Sequence, residues 1–334
     1  MPHTLRAPVR ITFDELQKFL ALRDEVHDLF DTKIECDCSA LTHVDPFGLC
    51  VLKHWFNDLE ERNVVLRLRD LRLPIELYMR RMDLFEDCEL VLLDDRTGSY
   101  RRRDMKGQLI ELQSIHDQDA IQTAANEIAS TIVHDLPGLD FSADPDEMTP
   151  SEGERAEETL AYVFAEILLN ALSHGRRRNY KHAYANIAAR FYPRENLLEV
   201  AIVDNGCGLL ETLLTHPKLE GELTDSKAIE IALLPRVSCN RAAELGLDNT
   251  NQGIGLTVST RLALAADGRC GVVSGDSVHS LMPGGLVEKA VIPYWQGTGI
   301  FLQFNKGVLP KVRKADIIQA LPEFRTVRKI RFDA

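Results

Sequence analysis

No Cys-x-x-Cys pair occurs in the 334 residues, and the seven cysteines stand at 36, 38, 50, 88, 207, 239 and 270. That spacing supports neither a zinc site nor a disulfide framework. An apolar run of transmembrane length is missing, and no signal peptide is read, so the expectation is a protein of the reducing cytoplasm with no membrane association. Positive charge is in deficit: the formal net charge is −12, which argues against general nucleic-acid binding. The basic runs Arg101–Arg103 and Arg176–Arg178 are small local exceptions. The chain also lacks internal repeats and low-complexity tracts.

What remains is an ordinary globular composition, 45% hydrophobic and 27% charged, in a chain long enough for two cores. The most informative stretch is FAEILLNALSHG. Leu160, Val163, Phe164, Ile167, Leu168 and Leu172 carry the spacing of an apolar helix stripe, while Glu166, Asn170 and Ser173 fall at i, i+4 and i+7 on a different face. A carboxylate and a carboxamide one turn apart can act on one ligand together. The amide oxygen ligates a hard divalent cation while the carboxylate orients or deprotonates a nucleophile. A solvated polar stripe has the same appearance. His174 reads as a structural or capping residue, and the arginines after it suit the negative end of a helix.

Downstream, LLEVAIVDNGCG contains an aliphatic run from Leu197 to Val203 that predicts a buried strand stopped at Asp-Asn-Gly. Asp204 at its end is placed to accept a hydrogen bond from a base amino group, and Gly206 and Gly208 let the backbone approach a ligand. An ordinary Asp-Gly turn is the alternative. In NQGIGLTV, Gly253 and Gly255 lead into a helix whose apolar positions begin at Ile254, Leu256 and Val258, and N–H groups at such a start form an anion site suited to phosphate. The Rossmann and P-loop patterns both fail here.

These pieces, in this order, resemble the GHKL superfamily of ATPases, over roughly residues 108–305. Glu166 and Asn170 are similar to its N-box, Asp204, Gly206 and Gly208 to its adenine-side box, and Gly253 and Gly255, with Ile254 and Leu256, to its phosphate-side box. Gly297-Thr298-Gly299 before IFLQF resembles the Gly-Thr that enters a late strand beside the adenine, and VVSGD at 272–276 the strand and turn after the phosphate helix. The resemblance implies ATP and Mg²⁺ as ligands, Glu166 as general base or orienter, Asn170 as Mg²⁺ ligand with Glu166 able to reach the ion through water, and Thr298 near an adenine read by Asp204. It implies a Bergerat-type α/β sandwich with a mixed sheet covered by helices on one face, and a mobile lid over residues 209–250. The wording ExxxNALSHG is most similar to the anti-sigma-factor serine kinases, in which that Glu activates a hydroxyl of a partner protein. A histidine-kinase reading fails: the helix of His134 ends at Pro137 and Gly138, too close to Asn170 for a dimerising hairpin, and His116 sits at a strand-to-helix junction.

Residues 1–100 have their own pattern. A helix is expected over 14–30, strands over 34–39 and 64–70, helices over 49–62 and 75–82, and a turn at LTHVDPFG; repeated strand-helix units imply a small α/β layer. The stretch DCSALTHVDPFGLCVLKHW resembles the STAS domains of anti-sigma-factor antagonists. It departs from them where they carry a phosphorylatable Ser, a place held here by Phe47. The module is therefore expected to be a docking or sensing surface in cis, although Ser39 and Thr42 lie nearby. Residues 101–107 are expected to be a linker with solvated charges, 137–153 a loop, and 306–334 an extension with a helix at 315–321 and a strand at 327–332. The whole predicts an α/β (α+β) regulator with a protein partner, a homodimer being one option. It either hydrolyses ATP or transfers its γ-phosphate to a Ser/Thr, or else acts as a non-catalytic nucleotide-gated interaction module.

Overall fold

Asp45 begins the helix that organises the N-terminal half. Its carboxylate accepts the Gly48 amide at 2.6 Å, and Pro46 fills the first helical position, where a missing N–H costs nothing. The helix therefore starts three residues earlier than apolar spacing alone implies. The computed structural model describes residues 3–94, 102, 109–134, 139–142, 150–175, 183–219, 221–237 and 254–321. In the first of these, strands β1 (His3–Arg6), β2 (Arg10–Ile11), β3 (Lys33–Asp37), β4 (His43–Val44), β5 (Val65–Arg69) and β6 (Val91–Leu93) alternate with helices α1 (Leu16–Asp24), α2 (Pro46–Glu61) and α3 (Leu73–Arg81). Crossovers of this kind give parallel pairing. Accordingly β1, β3, β5 and β6 form a parallel sheet in that order, and β2 pairs with β4 in parallel. Helix α1 is shorter than expected, because beyond Asp24 the chain closes into turns such as Leu29 N–H to Val26 O.

The second half contains β7 (Leu109–Ile115), α4 (Ile121–His134), α5 (Glu152–Gly175), β8 (Ala185–Tyr192), β9 (Leu197–Asp204), α6 (Gly208–Leu213), α7 (Asp225–Ala232), α8 (Gly255–Ala265), β10 (Arg269–Leu281), β11 (Val287–Asn305) and α9 (Lys314–Gln319). Its five strands run β10-β11-β9-β8-β7, and every neighbouring pair is antiparallel. This corrects the expected mixed sheet: β8–β9 and β10–β11 are hairpins, whose short turns admit only antiparallel pairing. The chain as a whole is thus mixed α/β, with parallel and antiparallel sheets. Strand β10 also runs on past VVSGD to Leu281, and Gly275 (φ 58°) sits at a bulge rather than at a strand end.

Helices α4, α5 and α8 cover one face of the five-stranded sheet, as expected, but the other face is covered as well. Along β9, Val200 and Ile202 enter the core under α5, while Ala201 and Val203 enter a second core shared with α1 and α2. Burial on both faces explains why this strand reads as an unbroken aliphatic run. Small residues on the second face admit two large rings. A Cβ on Gly271 would stand 2.1 Å from Phe13, and one on Gly299 2.7 Å from Phe47. Phe13 stacks on Phe301 at 4.9 Å and meets Phe47 edge-on at 5.2 Å. Polar contacts join the halves at the rim: Arg269 forks onto Asp14, and Arg102, the one described residue of the expected linker, bridges Asp83 and Glu111 rather than being simply solvated.

Residues 306–321 belong to the core under the helices, since Leu309, Ile317 and Leu321 are buried there. The expected strand at 327–332 lies outside the described residues, as does most of the expected loop at 137–153. No helix among the described residues is long and apolar enough to cross a membrane.

Candidate functional site

The apolar stripe of α5 locks that helix onto the sheet, with Leu160, Val163, Phe164, Leu168 and Leu172 fully buried. That packing turns Glu166 and Asn170 toward a cleft, partly open to solvent, between α5, the end of β9, α6 and the start of α8. Both side chains are half-buried, and neither has a hydrogen-bond partner among the described residues. Burial raises the Glu166 carboxyl above the ordinary range. The third polar position of the stripe, Ser173, does not join them. It accepts a hydrogen bond from Gln118 Nε2 beside α4, at 3.3 Å.

Gly255 opens α8 directly against Glu166. A Cβ there would lie 2.5 Å from Glu166 Oε2 and 2.8 Å from its Cβ, so only glycine leaves the carboxylate its place. Leu256 lines the cleft beside it, whereas Ile254, at the helix cap, is packed in the hydrophobic core. Thr257 ties this helix start to the end of α7 through the Leu233 carbonyl at 3.1 Å. Gly253 lies outside the described residues.

Asp204 ends β9 at the far side of the cleft. It is buried, and its Oδ1 accepts two backbone N–H groups, from Gly206 at 2.8 Å and Thr298 at 3.0 Å. Oδ2 has no hydrogen-bond partner among the described residues. Burial outweighs the two hydrogen bonds and pushes the carboxyl up to about 7. Gly206 therefore serves by fixing Asp204 and does not itself line the cleft, while Gly208 and Thr298 do. Gly208 (φ 79°) and Gly297 (φ 105°) take left-handed backbone, and a Cβ on Gly297 would strike the Asp204 carbonyl at 2.0 Å.

Motif reading alone did not single out Ser274. Buried within VVSGD, its hydroxyl accepts the Leu209 amide at 2.8 Å and donates to the Gly297 carbonyl at 3.3 Å, stitching the loop after Asp204 to the bulge before Thr298. Its signal is a hydroxyl that follows the apolar pair Val272 and Val273 inside a buried stretch. Apolar and small residues complete the walls, among them Ile202, Leu213, Ile300 and Cys207.

The described part of the expected lid is built rather than loose. Thr224 caps α7 through the Lys227 amide, Asp225 accepts the Asp276 amide at 3.2 Å, Ser226 pairs with His279 at 2.9 Å, and Glu230 pairs with Lys289 of the β10–β11 arm. Residues 238–250 lie outside the described set. In the N-terminal half, Phe47 is 1% exposed, so no modifying group reaches that position, while Ser39 and Thr42 are on the surface. Among the described residues no three His, Cys, Asp or Glu side chains cluster as a metal site. No protein-family model matches the chain, and no curated protein matches it.

Proposed function

We propose that the cleft binds ATP with Mg²⁺ in the manner of the GHKL superfamily, and that the chain is a regulator in which a STAS-like unit is fused in front of that domain. The observation that carries this reading is convergence: residues from four separated stretches, Glu166 and Asn170, Asp204 and Gly208, Gly255 and Leu256, and Thr298, line one cleft. The buried Asp204 with one oxygen uncommitted suits an exocyclic amino group, and the glycine start of α8 suits phosphate.

The residues also suit a magnesium ion held mainly by its substrate. Mg²⁺ in phosphoryl-transfer sites draws most of its ligands from phosphate and water, so the single unpartnered amide oxygen of Asn170 is a sufficient protein contribution. When bound, the ion neutralises charge on the phosphates. Glu166, raised by burial and without a hydrogen-bond partner among the described residues, would act as the general base, accepting a proton from water or from a partner hydroxyl. A protein that only binds nucleotide has no use for that half-buried, uncompensated carboxylate, and this favours an enzyme over a nucleotide-gated scaffold.

The test is incubation of the full chain with γ-labelled Mg-ATP, following both free phosphate and labelled protein, in wild type and Glu166→Ala. Turnover by either route, falling on the order of 10²- to 10⁴-fold in the variant while ATP affinity stays within a few-fold, is the expected result. ATP bound without turnover replaces the enzyme with a scaffold; absence of ATP binding removes the proposal.

A further inference from the structure

Helix α2 lies across the back of the sheet with Phe47, Cys50 and His54 on one face, at i, i+3 and i+7, directly behind the strands that carry Asp204 and Thr298. Two chains of contact run from it to Asp204. The first passes through Tyr184, which precedes β8. His54 Nδ1, on α2, meets the Tyr184 hydroxyl at 3.3 Å. The Tyr184 backbone in turn forms a reciprocal pair with Asn205, giving its amide to Asn205 Oδ1 at 2.9 Å and taking the Asn205 amide at 3.4 Å. Asn205 is the residue between Asp204 and Gly206.

The second chain passes through Trp295. The His54 ring lies 4.5 Å from the buried Trp295 ring, over which the guanidinium of Arg23 stands 5.7 Å away; Arg23 of α1 also donates to the Tyr294 carbonyl. Trp295 pairs with Gly275, and the next pairing of β11 is Thr298 with Ser274, so Gln296 and Gly297 form the bulge between them. That bulge carries the Thr298 amide to Asp204 Oδ1, and Phe47 packs beneath Gly299 at its far end.

Taking the proposed ATP site as its premise, we infer that His54 and Arg23 are positioning residues: the N-terminal unit sets the base-recognition half of the cleft by gripping, from the opposite face of the sheet, the two loops that hold Asp204. None of these side chains lines the cleft, so they act on ligand only through Asp204. Phosphate recognition at Gly255 and Asn170 comes from α5 and α8, which pack on the other face, and is outside their reach. The unit in front of the domain is then part of the recognition apparatus and not an appendage.

The test exploits that division. Binding of ATP and of inorganic tripolyphosphate, each with Mg²⁺, is measured by calorimetry on the full chain for wild type, Tyr184→Phe and His54→Gln. Tyr184→Phe keeps the ring and removes only the hydroxyl that α2 holds, so it stands even where His54→Gln unfolds. The expected result is ATP affinity weakened about three- to tenfold in Tyr184→Phe, the scale of one lost hydrogen bond, with tripolyphosphate affinity unchanged. Equal weakening of both ligands would mean a general structural role, and unchanged ATP affinity would mean no grip; either overturns the inference. Failure of wild type to bind ATP at all is distinguishable from both, because it removes the site itself.

Discussion

Phe47 takes the position at which a STAS-like reading expects a hydroxyl, and placing one there should wreck the packing rather than install a switch. The ring is 1% exposed, contacts Phe13 edge-on, and rests on the bare backbone of Gly299. In Phe47→Ser the lost burial and the cavity cost roughly 3–5 kcal/mol, and a hydroxyl without a partner among these rings adds roughly 1–3 kcal/mol. The expected loss of about 4–8 kcal/mol is comparable with the whole stability of an ordinary domain, roughly 5–15 kcal/mol. Urea unfolding is the assay, followed by tryptophan fluorescence, because Trp55 and Trp295 are the two tryptophans of the chain and both lie in the core shared by its halves. Wild type should unfold with coincident fluorescence and circular dichroism transitions, and Phe47→Ser should be largely unfolded in buffer. A loss below about 1 kcal/mol, the range of a surface substitution, would refute a buried, cis-docked α2. Gly299→Ala offers the reciprocal check: it should destabilise by about 1–3 kcal/mol and show less effect beside Phe47→Leu, which yields the space.

Gly255→Ala should leave the fold standing but displace Glu166, whose Oε2 the new methyl would meet at 2.5 Å; phosphate release should fall on the order of 10²-fold, and a rate within twofold of wild type would contradict that packing. ATP affinity should depend on pH through Asp204, which accepts fully only when ionised: with the carboxyl pushed up to about 7 by burial, affinity should level off above that pH and fall about tenfold per unit below it, a slope read by calorimetry and absent in Asp204→Asn. Asp45 is raised to about 7, also chiefly by burial, from an ordinary 3.8, so the folded state binds its proton where the unfolded state has lost it. Its contribution to stability is then complete below about pH 4 and lost as pH rises through about 7. Asp45→Asn keeps an oxygen for the helix cap, gives up the acceptor of the Phe13 amide and removes the titration, so its urea midpoint relative to wild type should rise between about pH 4 and 7 and stay level above that.

The elements carrying period and punctuation were legible in the chain. The stripe of α5, the alternation in β5 and the strand that stops at Asp204 all follow from local spacing, and so does the face of α5 that bears Glu166 and Asn170. Convergence of the motifs into one cleft was legible only through their resemblance to known ATPases, since no local rule places Asp204 opposite Glu166. Three features were not legible. Strand direction was hidden because pairing is non-local, and only the hairpin turns decide it. The second covered face was hidden because nothing local shows that Gly271 and Gly299 leave room for Phe13 and Phe47, which come from far away in the chain. Ile254 follows a glycine in the phosphate-side stretch, yet the helix cap turns its side chain into the core.

If Asp204 reads a base across a cleft shared with Glu166 and Asn170, direct titration of the full chain with Mg²⁺ and a non-hydrolysable ATP analogue will show it. The account predicts saturable one-to-one binding in wild type, weakened about tenfold or more in Asp204→Asn, with tripolyphosphate binding unaltered. No binding at millimolar analogue, or equal affinity in the variant, would contradict it.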